Sequence, residues 1–228
     1  DGAEAFVDAG GLLLWTLHNT APHDDRYLPV HDVLHAKLPQ LADLVHVHTH
    51  TAAAWAEERL GVLPERIAIV PHGNYLPLYR ALEAARATIR ARLGLPESGR
   101  FVLLFGRLGP YKGGAGLLQA FAAADAPDLH LLVAGKQVEP LGPALDALPP
   151  DIRARVHVRD GFVPEEEIEP LFAAADAVVL PYRRILTSGG ALLALSLRRP
   201  VVAKTPEGGE VPLAVRPSDR PPEQLAFR

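Results

Sequence analysis

The sequence contains neither cysteine nor methionine among its 228 residues. Without cysteine, the chain has no disulfide bonds and no metal sites built on thiolates. Because position 1 is not methionine, we expect a processed or truncated chain, and its first residues resemble neither a signal peptide nor a transit peptide. Long apolar runs are also lacking, since residues 12–17 are far fewer than the roughly 20 that a membrane-spanning helix needs. Any membrane association is therefore expected to be peripheral.

An excess of positive charge is also lacking, because 23 Lys and Arg stand against 27 Asp and Glu and the formal net charge is −4. A broad basic surface is therefore absent, and nucleic acid is not an expected partner. The chain is 48% hydrophobic and 22% charged, which is ordinary for a globular protein. Its length allows one large domain or two small ones.

Short apolar runs alternate with longer amphipathic segments along the chain. The runs are rich in Val, Leu and Ile and show little in/out alternation, which predicts parallel strands buried on both faces of an α/β fold. The predicted strands span residues 12–17, 44–48, 67–70, 101–105, 129–134, 156–158, 177–180 and 201–203. The predicted helices span residues 30–41, 52–60, 82–93, 115–124, 165–175 and 189–197, and Thr51 is a candidate cap for the second of them.

Turn residues between 71 and 80 indicate a domain boundary. We therefore predict one domain over residues 1–80 and a second over residues 81–228. Only about three strands precede the boundary, so the first lobe is expected to be incomplete. Residues 216–228 are rich in proline and charge and are predicted to be a loop or linker.

The loop that follows the predicted strand 101–105 suits an anionic ligand. Gly106 allows close approach of the backbone, and the helix predicted at 115–124 offers free N–H groups at its start. Arg107 and Lys112 add full positive charges where phosphate oxygens could sit. The alternative is an ordinary strand-to-helix loop with solvated cations.

A second loop follows the predicted strand 177–180. Thr187 and Ser188 precede a helix that opens on Gly189 and Gly190, and hydroxyl and N–H groups at a helix start favour phosphate. The alternative is a serine cap with glycines that allow close packing. Because ligands of open α/β sheets bind at the carboxyl ends of strands, we expect the two loops to contribute to one site.

A third loop, Gly161, Phe162 and Val163, follows the predicted strand 156–158. It could offer backbone hydrogen bonds and an apolar wall to a planar base, or it could be a simple connection. Histidines cluster earlier, with His18 at a strand end and His46, His48 and His50 alternating. Alternating histidines suggest a metal, but no further ligand stands at a characteristic spacing, so side chains that line a cleft are favoured and no metal site is predicted.

The ordered motifs resemble those of the GT-B glycosyltransferases, especially the C-terminal, donor-binding half of the bacterial group 1 glycosyl transferases. The resemblance covers roughly residues 65 to 210. The motifs are VPHGN at 70–74, FGR at 105–107, YKG at 111–113, LVAG at 132–135, GFV at 161–163, AADAVVLPY at 174–182 and PVVA at 200–203. His18 and Asn19 also resemble the middle of the family's N-terminal domain.

The resemblance implies two Rossmann-like lobes with parallel sheets that face across a cleft. It also implies transfer of a sugar from a UDP- or GDP-linked donor to a hydroxyl of a saccharide or lipid-linked acceptor. No cofactor or metal is obligatory. We would expect such an enzyme in the cytoplasm or at the inner face of the membrane, in glycan, polysaccharide or glycolipid synthesis.

The same resemblance assigns roles to individual residues. Arg107 and Lys112 would hold the diphosphate and stabilise the leaving nucleotide, while His18 would lie near the reacting groups. The donor-binding set would be Gly106, Arg107, Lys112, Gly161, Phe162, Val163, Thr187, Ser188, Gly189 and Gly190. The side chains and backbone nearest the cleft and the acceptor would be His18, Asn19, His72 and Gly73.

Two departures from the family pattern leave alternatives open. Many members carry glutamates that contact the donor sugar and the ribose at positions that fall on Ile185 and Leu193 here. The chain is also short for the family, with the start of the first lobe and the end of the second expected to be missing. A degenerate domain that binds a nucleotide or a partner without catalysis, and a nucleotide-sugar epimerase on the same architecture, are the alternatives.

Overall fold

A computed structural model of the chain describes residues 2–20, 22, 27–79, 84–124, 126–183, 186–204 and 210–213. The chain divides into two compact units, Asp1–Gly73 with Arg184–Gly189 and Asn74–Arg183 with Gly190–Arg228. The division after Gly73 falls within the boundary region predicted at 71–80. Residues 74–80, predicted in the first domain, belong to the second unit, and residues 184–189, predicted in the second domain, belong to the first unit.

The first unit contains a three-stranded parallel sheet in the order β1-β2-β3. Its core is formed by Leu17, Val45 and Val47 with the alanines of the third helix. The strands are β1 (Leu14–Thr16), β2 (Leu44–Val47) and β3 (Ile67–Ile69), and the helices are α1 (Gly2–Asp8), α2 (Leu28–Leu41) and α3 (His50–Leu60).

Helix α3 begins earlier than predicted, and its cap is Thr49 rather than Thr51. Thr49 has an extended backbone, and its side chain accepts a hydrogen bond from the N–H of Ala52. Thr51 is already inside the first turn, so its hydroxyl cannot serve the N-cap position. Gly61 ends the helix in the left-handed conformation with φ of 66°.

The second unit contains a six-stranded sheet in the order β6-β5-β4-β7-β8-β9. The strands are parallel except β9, which pairs antiparallel with β8. The strands are β4 (Arg100–Phe105), β5 (Leu129–Gly135), β6 (Val156–Asp160), β7 (Ala177–Leu180), β8 (Val201–Lys204) and β9 (Glu210–Leu213). The helices are α4 (Arg86–Arg92), α5 (Gly114–Ala123), α6 (Gly142–Asp146), α7 (Pro150–Arg153), α8 (Glu165–Ala174) and α9 (Gly189–Ser196).

The sheet is buried on both faces at β4, as the sequence pattern of this strand predicts. Along β4, Phe101 and Leu103 belong to one core cluster and Leu104 to the cluster on the opposite face. The α/β class with parallel sheets is therefore confirmed for the described residues. The order of the strands also creates a switch point between β4 and β7, because the chain proceeds outward from β4 in one direction and from β7 in the other.

Elements with weak sequence patterns were not predicted. Helices α6 and α7 have only 5 and 4 residues, too few for a helical repeat of apolar positions. Strand β9 lies beyond the last predicted strand, and the predicted tail at 216–228 lies outside the described residues. Within the described parts of the chain, no helix has the length and apolarity that a membrane span would need.

Asp176 anchors helix α4 to the start of β4. Its carboxylate accepts hydrogen bonds from the guanidinium groups of Arg86 and Arg90 and, at 2.8 Å, from the N–H of Phe101. The Arg90 guanidinium also lies over the Phe101 ring at 4.3 Å and is nearly completely buried. The aspartate of the AADAVVLPY motif thus serves the fold rather than a ligand.

We expect the substitution Asp176→Ala to lower the free energy of unfolding by about 2 kcal/mol, because Arg90 would remain buried without its carboxylate. The cost is below that of a fully buried pair, since 34% of the Asp176 side chain is exposed. Asp128→Ala is the matched control, because it removes an exposed carboxylate paired with Arg100 and should leave the unfolding midpoint almost unchanged. Urea denaturation of both variants checks the prediction, and equal midpoints for the two would contradict it.

Candidate functional site

The loop after β4 is a glycine-bearing turn that leads directly into helix α5. Gly106 has φ of 108°, and Gly113 has φ of 71° at the N-cap of α5. Between them, residues Pro110–Lys112 form one turn of 3-10 helix. Side chains other than glycine are strained at such positive φ values, so the path of this loop depends on its glycines.

The same loop packs closely on the end of β5. The Gly106 N–H donates to the carbonyl of Ala134, and the Leu108 N–H donates to that of Lys136. A Cβ atom on Gly135 would overlap with the carbonyl oxygen of Gly106. Gly135, the glycine of the LVAG motif, is therefore needed because the backbone of Gly106 passes over it.

Lys112 is a buried cation beneath this turn. Its side chain is 8% exposed, and its Nζ donates a hydrogen bond of 2.8 Å to the Tyr182 hydroxyl. The Nζ also lies 4.5 Å from the centroid of the Tyr182 ring and 5.7 Å from that of Tyr111. A Cβ atom on Gly106 would lie 3.7 Å from this Nζ, so the ammonium group is next to the glycine turn.

Burial lowers the pKa of Lys112 below its ordinary value. Within the described residues, the ion pairs do not include Lys112. An anion bound at the turn would therefore supply a charge partner for a cation that the fold has already removed from water.

The other predicted donor-binding residues of the second unit lie in three places. Arg107 is exposed on the loop after β4. In the loop after β6, Gly161 has φ of 116°, Phe162 is 88% exposed, and Val163 packs against the core. Gly190 lies in the first turn of α9. An exposed phenylalanine ring beside a glycine gives a flat apolar surface that a planar base could contact.

Thr187 and Ser188, predicted as donor-binding residues, belong to the first unit with Gly189. The Thr187 hydroxyl donates to the carbonyl of His18 at 3.4 Å and lies 3.5 Å from His18 Nδ1. Thr187 is therefore brought close to His18, which sequence reasoning assigned to a different role. That the Thr187 loop and the Gly106 loop contribute to one site stays a prediction.

Histidines line an open surface pocket of about 460 Å³ in the first unit. Its walls include His18, His48 and His72, together with Thr16, Pro71 and Gly73. The ring centroids of His48 and His72 are 5.1 Å apart, and those of His18 and His48 are 5.5 Å apart. The predicted residues His18, His72 and Gly73 are thus neighbours, and half-buried Asn19 follows His18 directly.

Hydrogen bonds fix the orientation of several of these rings. His46 Nε2 and His48 Nδ1 both lie 3.1 Å from the carbonyl oxygen of Val70, so each nitrogen carries a proton that it donates. Partial desolvation lowers the pKa of His18, and repulsion from His48, His72 and His46 lowers it further. His50 does not continue the alternation, because it is the first residue of helix α3.

The family resemblance aligns Leu193 with one of the positions at which a glutamate is expected in many members. Leu193 is buried in the main core cluster of the second unit, so it offers no polar group to a ligand. Ile185, the other such position, lies outside the described residues.

Sequence reasoning also missed Tyr182, for which the only signal was its place in the motif that ends β7.

The family profile described as Glycosyl transferases group 1 matches residues 99–226. GDP-mannose:glycolipid 4-beta-D-mannosyltransferase from Xanthomonas campestris pv. campestris is 30% identical over 194 residues, which are 85% of this chain and 50% of that protein. D-inositol 3-phosphate glycosyltransferase from Thermobispora bispora is 32% identical over 151 residues, 62% of this chain and 35% of that protein. The chain thus spans about half the length, or less, of these curated relatives.

Solved structures agree on the fold. Anabaena Alr3699/HepE in complex with UDP-glucose matches with a TM-score of 0.71 and 24% identity, over 90% of this chain and 56% of that one. The α,α-trehalose 6-phosphate synthase from Burkholderia multivorans matches with a TM-score of 0.65 and 17% identity, over 89% of this chain and 53% of that one. The expected GT-B type of α/β fold, represented here by part of its length, is confirmed.

Proposed function

We propose that this chain, which belongs to the group 1 glycosyl transferases, binds a nucleoside-diphosphate sugar. It would move the sugar to a hydroxyl group of an acceptor. The observation that carries the proposal is Lys112, a buried cation next to a glycine turn at the carboxyl end of β4. That end of β4 is beside the switch point of the sheet, where ligands of open α/β sheets bind.

The proposed chemistry is electrostatic. As the bond between the sugar and the diphosphate breaks, negative charge grows on the leaving nucleotide. The ammonium of Lys112 and the guanidinium of Arg107 would stabilise that charge, and the N–H groups at the start of α5 would add to the effect. The Lys112 ammonium is held by the Tyr182 hydroxyl before the substrate arrives, so it needs little reorganisation.

The remaining donor contacts extend this proposal. Gly190 would add an N–H donor from the start of α9, and Thr187, Ser188 and Gly189 stay predicted donor-binding residues. Gly161, Phe162 and Val163 would flank the base, because the exposed Phe162 ring offers a face for stacking.

For the acceptor, we propose contacts with the histidine pocket of the first unit. The residues that would contact the acceptor or the transferred sugar are His18, Asn19, His72 and Gly73. The lowered pKa of His18 keeps its imidazole neutral near pH 7, so the ring can accept a proton. The Xanthomonas relative is named for a glycolipid acceptor, which favours a saccharide or lipid-linked acceptor and a peripheral association with the membrane.

The donor is proposed to be linked to UDP or GDP. The Xanthomonas relative is named for GDP-mannose, whereas the HepE structure holds UDP-glucose. We propose that the protein acts on such donors in the cytoplasm, at or near the inner face of the membrane.

We expect slow hydrolysis of UDP-glucose or GDP-mannose by the protein without added acceptor, in which water takes up the sugar and UDP or GDP is released. A coupled assay for the released nucleoside diphosphate measures this reaction. Arg107→Ala should lower kcat/KM by about tenfold or more, because a charged phosphate contact is lost. Turnover by Arg107→Ala equal to that of the native protein would contradict the role of Arg107.

A second candidate is favoured by the burial of Leu193. Leu193 is part of the core, at a position where the family resemblance implies a glutamate in many members. The chain could therefore bind a nucleotide without transferring a sugar. Nucleotide binding with no donor turnover, both in this chain and in a longer protein that contains it, would select this candidate.

A further inference from the structure

The loops that follow β4 and β7 are joined on either side of the switch point. The N–H of Arg183 donates to the carbonyl of Tyr111 at 2.8 Å, and Lys112 Nζ donates to the Tyr182 hydroxyl at the same distance. Gly113 lies so close to Pro181 that a Cβ atom would overlap with the Pro181 carbonyl oxygen. The side chain of Lys112 is therefore held by a residue of the neighbouring strand's loop.

We infer that Tyr182 is a positioning residue of the diphosphate site, whose hydroxyl holds the ammonium group of Lys112 beside the Gly106 turn. The inference rests on the proposed function, because it assumes that a nucleoside diphosphate binds at this turn. Tyr182 itself need not touch the ligand, since it acts through Lys112.

A lysine needs such a partner here. Its four-carbon side chain has many rotamers, and burial opposes its charged form. A hydroxyl oxygen that accepts one ammonium N–H fixes the side chain and stabilises the charge, while the other N–H groups stay available to phosphate oxygens. The rings of Tyr111 and Tyr182 add attraction through their faces.

The competing interpretation is that Tyr182 serves packing alone. Its side chain is 7% exposed and belongs to the core cluster of the second unit. A packing role requires the ring but not the hydroxyl, so Tyr182→Phe separates the two interpretations. Tyr79 packs against the same cluster, but the polar groups that act on its hydroxyl are Glu165, Tyr75 and Glu169 rather than Lys112, so Tyr79→Phe is the matched control.

The test is calorimetric titration of the native protein, Tyr182→Phe, Tyr79→Phe, Lys112→Ala and the double variant with GDP, UDP, guanosine and uridine. We expect Tyr182→Phe to weaken binding of the preferred diphosphate about five- to twentyfold and to leave the affinity for its nucleoside unchanged. Tyr79→Phe should bind like the native protein. The double variant should bind no more weakly than Lys112→Ala, because the hydroxyl acts through Lys112.

The pH dependence gives a second readout that packing would not move. The hydroxyl accepts a hydrogen bond from the charged ammonium, so its removal should lower the pKa of Lys112 further below its ordinary value. Diphosphate affinity should therefore be lost at a lower pH in Tyr182→Phe than in the native protein. NMR titration of the Lys112 side-chain nitrogen measures the same shift without any ligand.

Native-like diphosphate affinity and an unchanged Lys112 titration in Tyr182→Phe would overturn the inference, as would additive losses in the double variant. Those results leave the proposed function standing if Lys112→Ala still binds weakly. Failure of the native protein to bind GDP or UDP, or equal binding by Lys112→Ala, would instead overturn the proposed function together with the inference.

Discussion

Replacing Arg107 and Lys112 together by alanine is expected to weaken the binding of the preferred nucleoside diphosphate, UDP or GDP, by about two to three orders of magnitude. Each cation would contact phosphate oxygens, and a hydrogen bond to a charged group contributes about 1.5–3 kcal/mol. The two effects should not add fully, because both act on one diphosphate. Calorimetric titration with UDP and GDP measures the loss.

The two single variants should differ. Lys112→Ala is expected to lose more affinity than Arg107→Ala, because Lys112 is buried and Arg107 is exposed to solvent that screens its charge. Arg100→Ala is a matched control, since Arg100 begins β4 at the opposite end of the strand and pairs with Asp128. Equal affinity in the native protein and both single variants would contradict the assignment of a phosphate site to this loop.

Gly135→Ala is expected to destabilise the second unit by about 3–5 kcal/mol, from a strained backbone and an overpacked contact together. Gly135 has φ of 134°, which alanine rarely adopts, and the added Cβ would overlap with the Gly106 carbonyl oxygen. For a chain of this size, the thermal midpoint should fall by about 10 °C. Because the clash pushes the Gly106 turn, diphosphate affinity should fall as well.

Gly116→Ala is the matched control for this glycine. Gly116 lies in helix α5, and apart from its chain neighbours and the backbone of its own helix, no atom lies within 4 Å of the position that its Cβ would take. Alanine is a better helix former, so this variant should be as stable as the native protein or more stable by up to about 1 kcal/mol. Thermal unfolding followed by circular dichroism compares the two variants, and a native-like midpoint for Gly135→Ala would contradict the packing described here.

The parts of this structure that depend on local pattern were predictable from the sequence. Strand β7 was predicted with its observed bounds, and β4 differs from its prediction by one residue, because apolar runs of this length between turn residues indicate buried parallel strands. The glycines of the loop after β4 marked a turn that the structure contains. The GT-B resemblance added the order of the motifs, which single loops could not supply.

Contacts between distant parts of the chain were not predictable. Lys112 and Tyr182 are separated by 70 positions, and Thr187 and His18 by 169, so no local pattern couples them. Asp176 looked like a motif residue with no assigned role until its contacts with Arg90 and Phe101 were known. The burial of Leu193 likewise depends on how α9 packs rather than on its own sequence.

A crystal structure of this protein with bound GDP or UDP tests the central claim most directly. We expect the diphosphate to lie over the Gly106 turn, with an oxygen within hydrogen-bond distance of Lys112 Nζ and the base beside Phe162. A diphosphate bound elsewhere in the protein, with Lys112 Nζ still held by Tyr182 and no phosphate oxygen near it, would contradict the account.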